Sequence, residues 1–562
     1  MKLTFRFLLL IALSLGACSG PKLLPLNDDQ VKVNLKKHIS TLASDNFEGR
    51  ETGTEGETKS YEYLVKEFKA AKLKAKGESG YLQPFKFTDG ATFGGSTQLI
   101  VNNSIFKVNE DFSPLPYSSN NVVTNFITRV NFGITDVGLN RDDYKGKGNL
   151  AKRIFLIESG TPDGSSPHGK FGDWSELRKK IDLAISKGAA AIIFINSDTI
   201  QDNPKPDWKN HTTSSSIPVI FAKGKAAQLL HDSVITNCTI GVEIIPIEKE
   251  GHNVIGYFNN KSKSTIVIGA HYDHLGYGED GSSLYRGPRA IHNGADDNAS
   301  GTAALIELAK FVKTNGLKNK NYLFIAFSGE EKGLLGSNYF VKHPTINLKE
   351  VSCMINMDML GRLKPEEKSL IINGTGTSPE WKQWLDSTSA NGLHLVTTES
   401  GVGPSDHTSF YLQDIPVLHF FSGTHSDYHK PSDDEDKINY DGEIMIINMI
   451  KNILRKADAA PKMTFTKTKD DKNEDAPKFK VTLGVVPDYS FEGSGMRIDG
   501  VTEERPASKA GLMPGDIVIQ LGAFKVVDMM SYMKALGKFS KGETTQVKIL
   551  RGKTEIIKDI TF

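Results

Sequence analysis

Thr265-Ile266-Val267-Ile268-Gly269-Ala270-His271-Tyr272-Asp273-His274 and, further on, Tyr322-Leu323-Phe324-Ile325-Ala326-Phe327-Ser328-Gly329-Glu330-Glu331 decide the fold. Each is an uninterrupted apolar run that stops abruptly at residues able to carry charge. A strand with one wet face alternates apolar and polar residues, whereas a run apolar throughout is buried on both faces. Residues 352–357 and 416–421 have the same texture, and residues 300–313, between the first two runs, have helical periodicity. Strands alternating with helices predict a mainly parallel α/β sheet covered by helices. In such a sheet, functional side chains gather in loops at the carboxyl ends of the strands.

Five strings stand at such ends or open a helix: His271-Tyr272-Asp273-His274, Asp296-Asp297-Asn298-Ala299-Ser300-Gly301, Glu330-Glu331, Asn356-Met357-Asp358 and Asp427-Tyr428-His429. Carboxylates brought together away from water are costly unless cations stand between them. Histidine nitrogen and carboxylate oxygen suit zinc. Only Cys238 and Cys353 follow Cys18, so no Cys-based metal site can be built. Two ions sharing a carboxylate would lower the pKa of a water held between them and polarise a carbonyl. One further carboxylate, unligated, is then needed to move the proton. The pair Glu330-Glu331 offers one residue for each duty.

At 562 residues the chain exceeds one ordinary core and predicts two to four folding units. Its formal net charge of +1 and lack of basic runs argue against a nucleic-acid partner. Beyond the N-terminus no apolar stretch is long enough to cross a bilayer. Lys2 and Arg6 precede an apolar run that ends in Leu15-Gly16-Ala17-Cys18, the pattern of a secretory signal over residues 1–17. A Cys at this place resembles the bacterial lipoprotein signal. That resemblance implies lipidation of Cys18 and a protein tethered in the cell envelope through its lipid, and Ser19 points to the outer membrane.

Residues 18–94 read as the first part of the main domain, with helical segments around the loop Phe47-Glu48-Gly49-Arg50-Glu51-Thr52-Gly53-Thr54. Residues 95–247 change texture and read as an insertion. A helix there carries Ile181, Ala184 and Ile185 and ends at Lys187-Gly188 before the strand Ala191-Ile192-Ile193-Phe194-Ile195, an order that resembles the protease-associated (PA) domain. The main domain resumes over 248–460, a linker spans 461–478, and residues 479–562 form a last module. Leu483-Gly484-Val485, Pro506-Ala507-Ser508-Lys509-Ala510-Gly511-Leu512 and Pro514-Gly515-Asp516-Ile517-Val518 in it resemble a PDZ domain, which would take a peptide or protein ligand by strand addition.

The five strings together resemble those of the di-zinc aminopeptidase family that includes the secreted bacterial leucyl aminopeptidases; glutamate carboxypeptidases and glutaminyl cyclases are more distant. The resemblance implies the zinc-exopeptidase (phosphorylase/hydrolase-like) three-layer α/β fold with a mixed sheet, an inserted mainly-β PA domain and a C-terminal β-rich PDZ domain. It also implies two zinc ions per chain and hydrolysis of N-terminal residues from peptides. Carried over string by string, His271 and Asp358 hold one ion, Glu331 and His429 the other, and Asp297 bridges them. Glu330 is the general base, and Asp273 orients His271. The peptide bond from Asp297 to Asn298 is expected to be cis. Ser405, Asp406, His407 and Phe410 are expected to line the substrate pocket; adjacent residues cannot form a serine-protease triad. His274 and His292 are expected at solvent or in support of ligands, and His419 as a satisfied core residue.

Rival readings are a carboxypeptidase or dipeptidase on the same fold and a non-catalytic peptide-binding scaffold. The first needs a cationic cluster for the substrate carboxylate, whereas Arg286, Arg289 and Arg362 are scattered. The second needs lost ligands, and none is missing.

Overall fold

The computed structural model describes residues 27–164, 170–197, 203, 215–232, 237–279, 282–386, 392–468, 481–487, 494–501, 505–527, 529–539 and 542–562. The expected signal segment, Cys18 and most of the expected linker lie outside the described residues.

Helix α1 (Asp28–Leu42) opens under Asn27, whose side chain accepts from the Gln30 N–H at 2.9 Å, while Asp28 and Asp29 favour the positive end of the helix dipole. Val31, Leu35, Ile39 and Leu42 fall on one stripe and are buried. Helix α2 (Glu55–Ala70) begins with a reciprocal cap. The Thr54 hydroxyl accepts from the Glu57 N–H, and the Glu57 carboxylate turns back to the Gly53 N–H at 2.8 Å.

The central sheet has nine strands. In chain order the longer ones are β1 (Leu82–Phe93), β2 (Ile244–Phe258), β3 (Thr265–His271), β4 (Asn321–Phe327), β5 (Val351–Met357), β6 (Ser369–Asn373), β7 (His394–Thr398) and β8 (Val417–Phe421); a short strand, Lys74–Ala75, completes the set. The spatial order is β2-β4-β3-β5-β8-β6-β7, with β1 and Lys74–Ala75 both paired to β2. Strands β4, β3, β5 and β8 are mutually parallel, as expected. The flanks make the sheet mixed, as the family resemblance implies, rather than mainly parallel: β2 runs antiparallel to β4, and β6 antiparallel to β8. Loop 358–368 joins β5 to β6 without a crossover helix, so β6 runs back down the sheet.

Helices α1, α2, α3 (Gly301–Thr314) and α4 (Tyr440–Ala459) cover one face and meet Ile266, Ile268, Ala270, Tyr322, Phe324 and Ala326. The alternate residues Val267, Leu323, Ile325 and Phe327 pack on the other face against Phe340 and Phe410. Period two with both faces covered gives the three layers.

The insertion leaves the sheet after β1 and returns at β2. It contains a five-stranded sheet whose strands Ile127–Arg129, Ile154–Glu158, Ala191–Ile195 and Val219–Ala222 run parallel, and a four-stranded antiparallel sheet. Helices Leu177–Ser186 and Gly224–Asp232 accompany the parallel strands of this mainly-β region. Parallel strands need such crossovers. The helix expected to end at Lys187-Gly188 does so, with Gly188 at φ +93°.

The C-terminal module has its own six-stranded sheet around Leu483, Ile498, Val518, Leu521, Val547 and Ile549. Strand β9 (Val485–Pro487) lies at its edge. The beginning of the expected linker belongs to the main body: Met463 is buried with its N–H on Ser352 Oγ at 3.1 Å, and the Thr466 N–H donates to Thr377 O at 2.9 Å. Among the described residues no helix is long and apolar enough to cross a membrane.

Phe324 is wholly buried between β3, β2 and the helical layer. Phe324→Ala should destabilise the main body by about 3–5 kcal/mol, read as a lowered midpoint of its denaturant transition.

Candidate metal centre

His271 is the last residue of β3, Glu330 and Glu331 follow β4, Asp358 follows β5, and His429 lies in the loop after β8. Asp297 sits in the turn that opens α3. Four parallel strands thus deliver these side chains to one end of the sheet, and the Asp297–Asn298 peptide bond in their midst is cis.

The Asp297 carboxylate is shared between two histidines. Its Oδ1 stands 3.4 Å from His271 Nε2 and its Oδ2 3.3 Å from His429 Nε2. His271 Nε2 also lies 3.2 Å from Asp358 Oδ1, and His429 Nε2 lies 3.3 Å from Glu331 Oε2. Ligand atoms of His271, Asp297 and Asp358 lie within 4.8 Å of one another, as do those of His274, Asp297 and Glu331. Two adjacent sets of nitrogen and carboxylate donors sharing one carboxylate fit zinc by donor chemistry.

Supporting contacts reach outward from each member. Asp273 Oδ1 is 3.6 Å from His271 Nδ1 and accepts from the Glu330 N–H at 3.3 Å, while its Oδ2 accepts from Thr52 Oγ1 at 3.0 Å. Asp433 Oδ2 accepts from the N–H groups of Asp296 and Asp297 at 3.0 and 3.1 Å, which fixes the turn carrying Asp297. Arg362 joins Asp427 at 3.1 Å and Asp433 at 3.9 Å, bracing the segment that carries His429. Asp296 turns away to the Gly361 N–H at 2.6 Å and His425 Nε2 at 3.2 Å.

The electrostatics follow from this crowding. Burial opposes protonation of His271 and His429, but Asp358 and Glu330 outweigh it at His271, and Glu331 and Asp297 at His429. Both imidazoles are held well above their ordinary range. Glu331 is held well below its range by His429 and His274 against the effect of burial. Glu330 is pushed well above its range by desolvation, opposed by His271 and reinforced by Asp358, Asp406 and Glu331.

Several expectations need correction. Of the two places expected for His274, the structure gives the supporting one: it is buried, with Nδ1 on Glu331 Oε1 at 2.7 Å, and its loop is roofed by the 293–297 turn and the His429 segment. His292 is buried on Ser283 Oγ at 2.7 Å. His419 is buried as expected, but its Nε2 has no hydrogen-bond partner among the described residues and stands 4.0 Å from Asp358 Oδ2, with its ring stacked on His407. Ser405, Asp406, His407 and Phe410 are all buried. Phe410 is a core residue, stacked on Phe340 and edge-on to Phe327, because its helical turn faces the second apolar layer. Burial pushes the Asp406 carboxyl up to about 7.

Arg50, in the loop Phe47–Thr54, is a structural member that no local pattern marks. Its guanidinium is wholly buried and donates to the carbonyls of Tyr272 (2.7 Å), Leu42 (2.7 Å), Asn293 (2.6 Å), Gly294 (2.9 Å) and Asp297 (3.5 Å). Burial lowers its pKa to about 10, opposed by Asp297, Asp273 and Asp433, so it stays cationic at neutral pH. Non-glycine Arg50 itself adopts φ +51°. Arg50→Met would leave these carbonyls unpaired and remove the cation beneath the carboxylates. It should cost at least about 3 kcal/mol of stability, seen as a lowered thermal midpoint of the metal-free protein.

Residues 253–454 match peptidase family M28, and residues 463–560 match the PDZ domain. Among curated proteins, aminopeptidase YwaD of Bacillus subtilis (strain 168) is 26% identical over 338 residues, covering 53% of this chain and 70% of that protein. The probable lipoprotein aminopeptidase LpqL of Mycobacterium tuberculosis (strain ATCC 25618 / H37Rv) is 28% identical over 260 residues, covering 44% of this chain and about half, 48%, of that protein. Among solved structures, the aminopeptidase from Aneurinibacillus sp. strain AM-1 is 23% identical with a TM-score of 0.44, covering 78% of this chain and 97% of that one. The stretch that carries the candidate centre is thus similar to peptidase family M28, and the module behind it is similar to the PDZ domain.

Proposed function

We propose that the protein is a zinc aminopeptidase that removes N-terminal residues from peptides at a centre of two zinc ions. The observation that carries this reading is the Asp297 carboxylate, with one oxygen toward His271 and the other toward His429. His271, Asp358 and Asp297 would hold one ion; Glu331, His429 and Asp297 would hold the other. His274 is the competing donor on the second side. Its hydrogen bond occupies Glu331 Oε1 and leaves Oε2 facing His429, which favours His274 as the residue that orients Glu331.

Zinc, when bound, supplies a lowered pKa for the attacking water and polarisation of the scissile carbonyl. The chain's own residues do the rest. Glu330 takes a proton from the water as its oxygen attacks the carbonyl carbon, then returns that proton to the amine nitrogen as the C–N bond breaks. Asp273 holds His271 in orientation and, through the Glu330 N–H, sets where the base stands. Thr52 fixes Asp273 in turn.

The insertion, read as PA-like, would shape access to the centre. The basic, apolar and small residues before Cys18 support a lipidated protein held at the cell envelope, with the outer membrane favoured.

Glu330→Gln should lower kcat on aminoacyl-anilides by about a thousandfold while zinc content, by elemental analysis, stays that of wild type. Retained activity would overturn the role of Glu330. Because carboxylates keep His271 and His429 protonated without metal, zinc must displace protons on binding. Apparent affinity for each zinc ion, measured by chelator competition, should therefore fall by up to about tenfold per unit as pH is lowered below neutrality.

A further inference from the structure

The PDZ domain is fastened to the loop that carries His429. Thr424 Oγ1 donates to the Pro487 carbonyl at 2.7 Å, joining the segment after β8 to edge strand β9. A second tie pairs Arg497 of the PDZ sheet with Glu367 of loop 358–368 at 3.3 Å. The same peptidase loop is anchored inward. Ser422 Oγ donates to Met359 O at 2.7 Å beside Asp358, and His425 pairs with Asp296 beside Asp297. Strand β9 therefore stands at the carboxyl end of the peptidase sheet, where the metal-ligand candidates gather.

The direction of a peptide on β9 follows from its two ends. The turn Leu483-Gly484, with Gly484 at φ +75°, precedes the strand. Among the described residues β9 pairs on one side only, with Met496–Val501. PDZ domains add a ligand strand to such an edge, and a terminal carboxylate is taken by backbone amides in a turn. A ligand with its carboxylate at Gly484 runs antiparallel to β9 and leaves it at Pro487. At Pro487 the strand offers a ligand no N–H, and its carbonyl already accepts from Thr424. The ligand's N-terminal direction then points into the peptidase loop. Counting extended residues from Gly484 to Pro487 and from Thr424 to His429, with the step between Pro487 and Thr424, the path is at most roughly 35 Å, which about ten residues span.

We propose that the PDZ domain grips the free C-terminal tail of the same polypeptide whose N-terminus the metal centre trims. Peptides of about ten residues or more with a free α-carboxylate are then the preferred substrates. This rests on the aminopeptidase reading and adds a second point of substrate capture to it. Tail capture acts as a tether, so it lowers KM without changing the chemical step.

The test uses the full-length zinc-loaded protein. Two pools of peptides about twelve residues long share a free-amine N-terminal half and a randomised four-residue tail; one pool ends in carboxylate, the other in carboxamide. Release of the first residue is followed by mass spectrometry, beside hydrolysis of an aminoacyl-anilide too short to reach β9. KM for the carboxylate pool should be about tenfold below that of the amide pool at similar kcat. An N-acetylated pool of the tails alone should raise KM for the carboxylate pool and leave the anilide untouched. Equal kcat/KM for both long pools, with the anilide cleaved, overturns the proposal and spares the aminopeptidase reading. An uncleaved anilide overturns both.

Discussion

The centre depends on one electrostatic constraint, the crowding of like charge at the ends of parallel strands. Asp297, Asp358, Glu330, Glu331 and Asp273 all approach within a few ångströms of His271 or His429 or of each other's supports. Two carboxylates about 4 Å apart repel by roughly 4 kcal/mol at the effective dielectric of such sites. The fold meets this repulsion with a fixed cation below, Arg50, and imidazoles between the carboxylates. The metals proposed for the centre would complete the compensation from above. The strands supply the crowding because their side chains end together, and the helices that cover the sheet exclude the water that would otherwise screen it.

Around that constraint the support is built from segments remote in sequence. Arg50 reaches carbonyls on both sides of the centre, from Tyr272 to Asp297, and so holds the β3 end and the α3 turn in register. Asp433 grips the same turn through two N–H groups, while Arg362 links Asp433 to Asp427. The His429 segment is thereby tied to the Asp297 turn from behind, so the shared carboxylate and its two histidines move as a unit. Thr424 extends this unit to the PDZ domain.

Much of this was legible from local pattern. Continuous apolar runs marked the central strands, and the residues ending them marked the candidate centre, because strand ends and chemistry coincide in such folds. The order and direction of the flanking strands were not legible, since β6 turns back through a loop that carries no signal of direction. Arg50 was also beyond reach. An arginine beside glycines in a turn reads as a surface residue, and its partners lie up to 247 positions away. Glycine and charge around His274 leave solvent and support of a ligand equally open, and only the 293–297 turn and the His429 segment closing over it decide for support. Phe410 reads equally well as a pocket wall or a core residue, and only the packing of its turn on Phe340 decides for the core.

The central claim is that one carboxylate serves two cations. Its most direct test is zinc stoichiometry of the dialysed protein by elemental analysis, taken for wild type, His429→Ala and Asp297→Ala. The account predicts close to two zinc ions per chain in wild type, about one in His429→Ala, and loss of both or nearly both in Asp297→Ala. Two ions retained in Asp297→Ala, or no stoichiometric zinc in wild type, would contradict it.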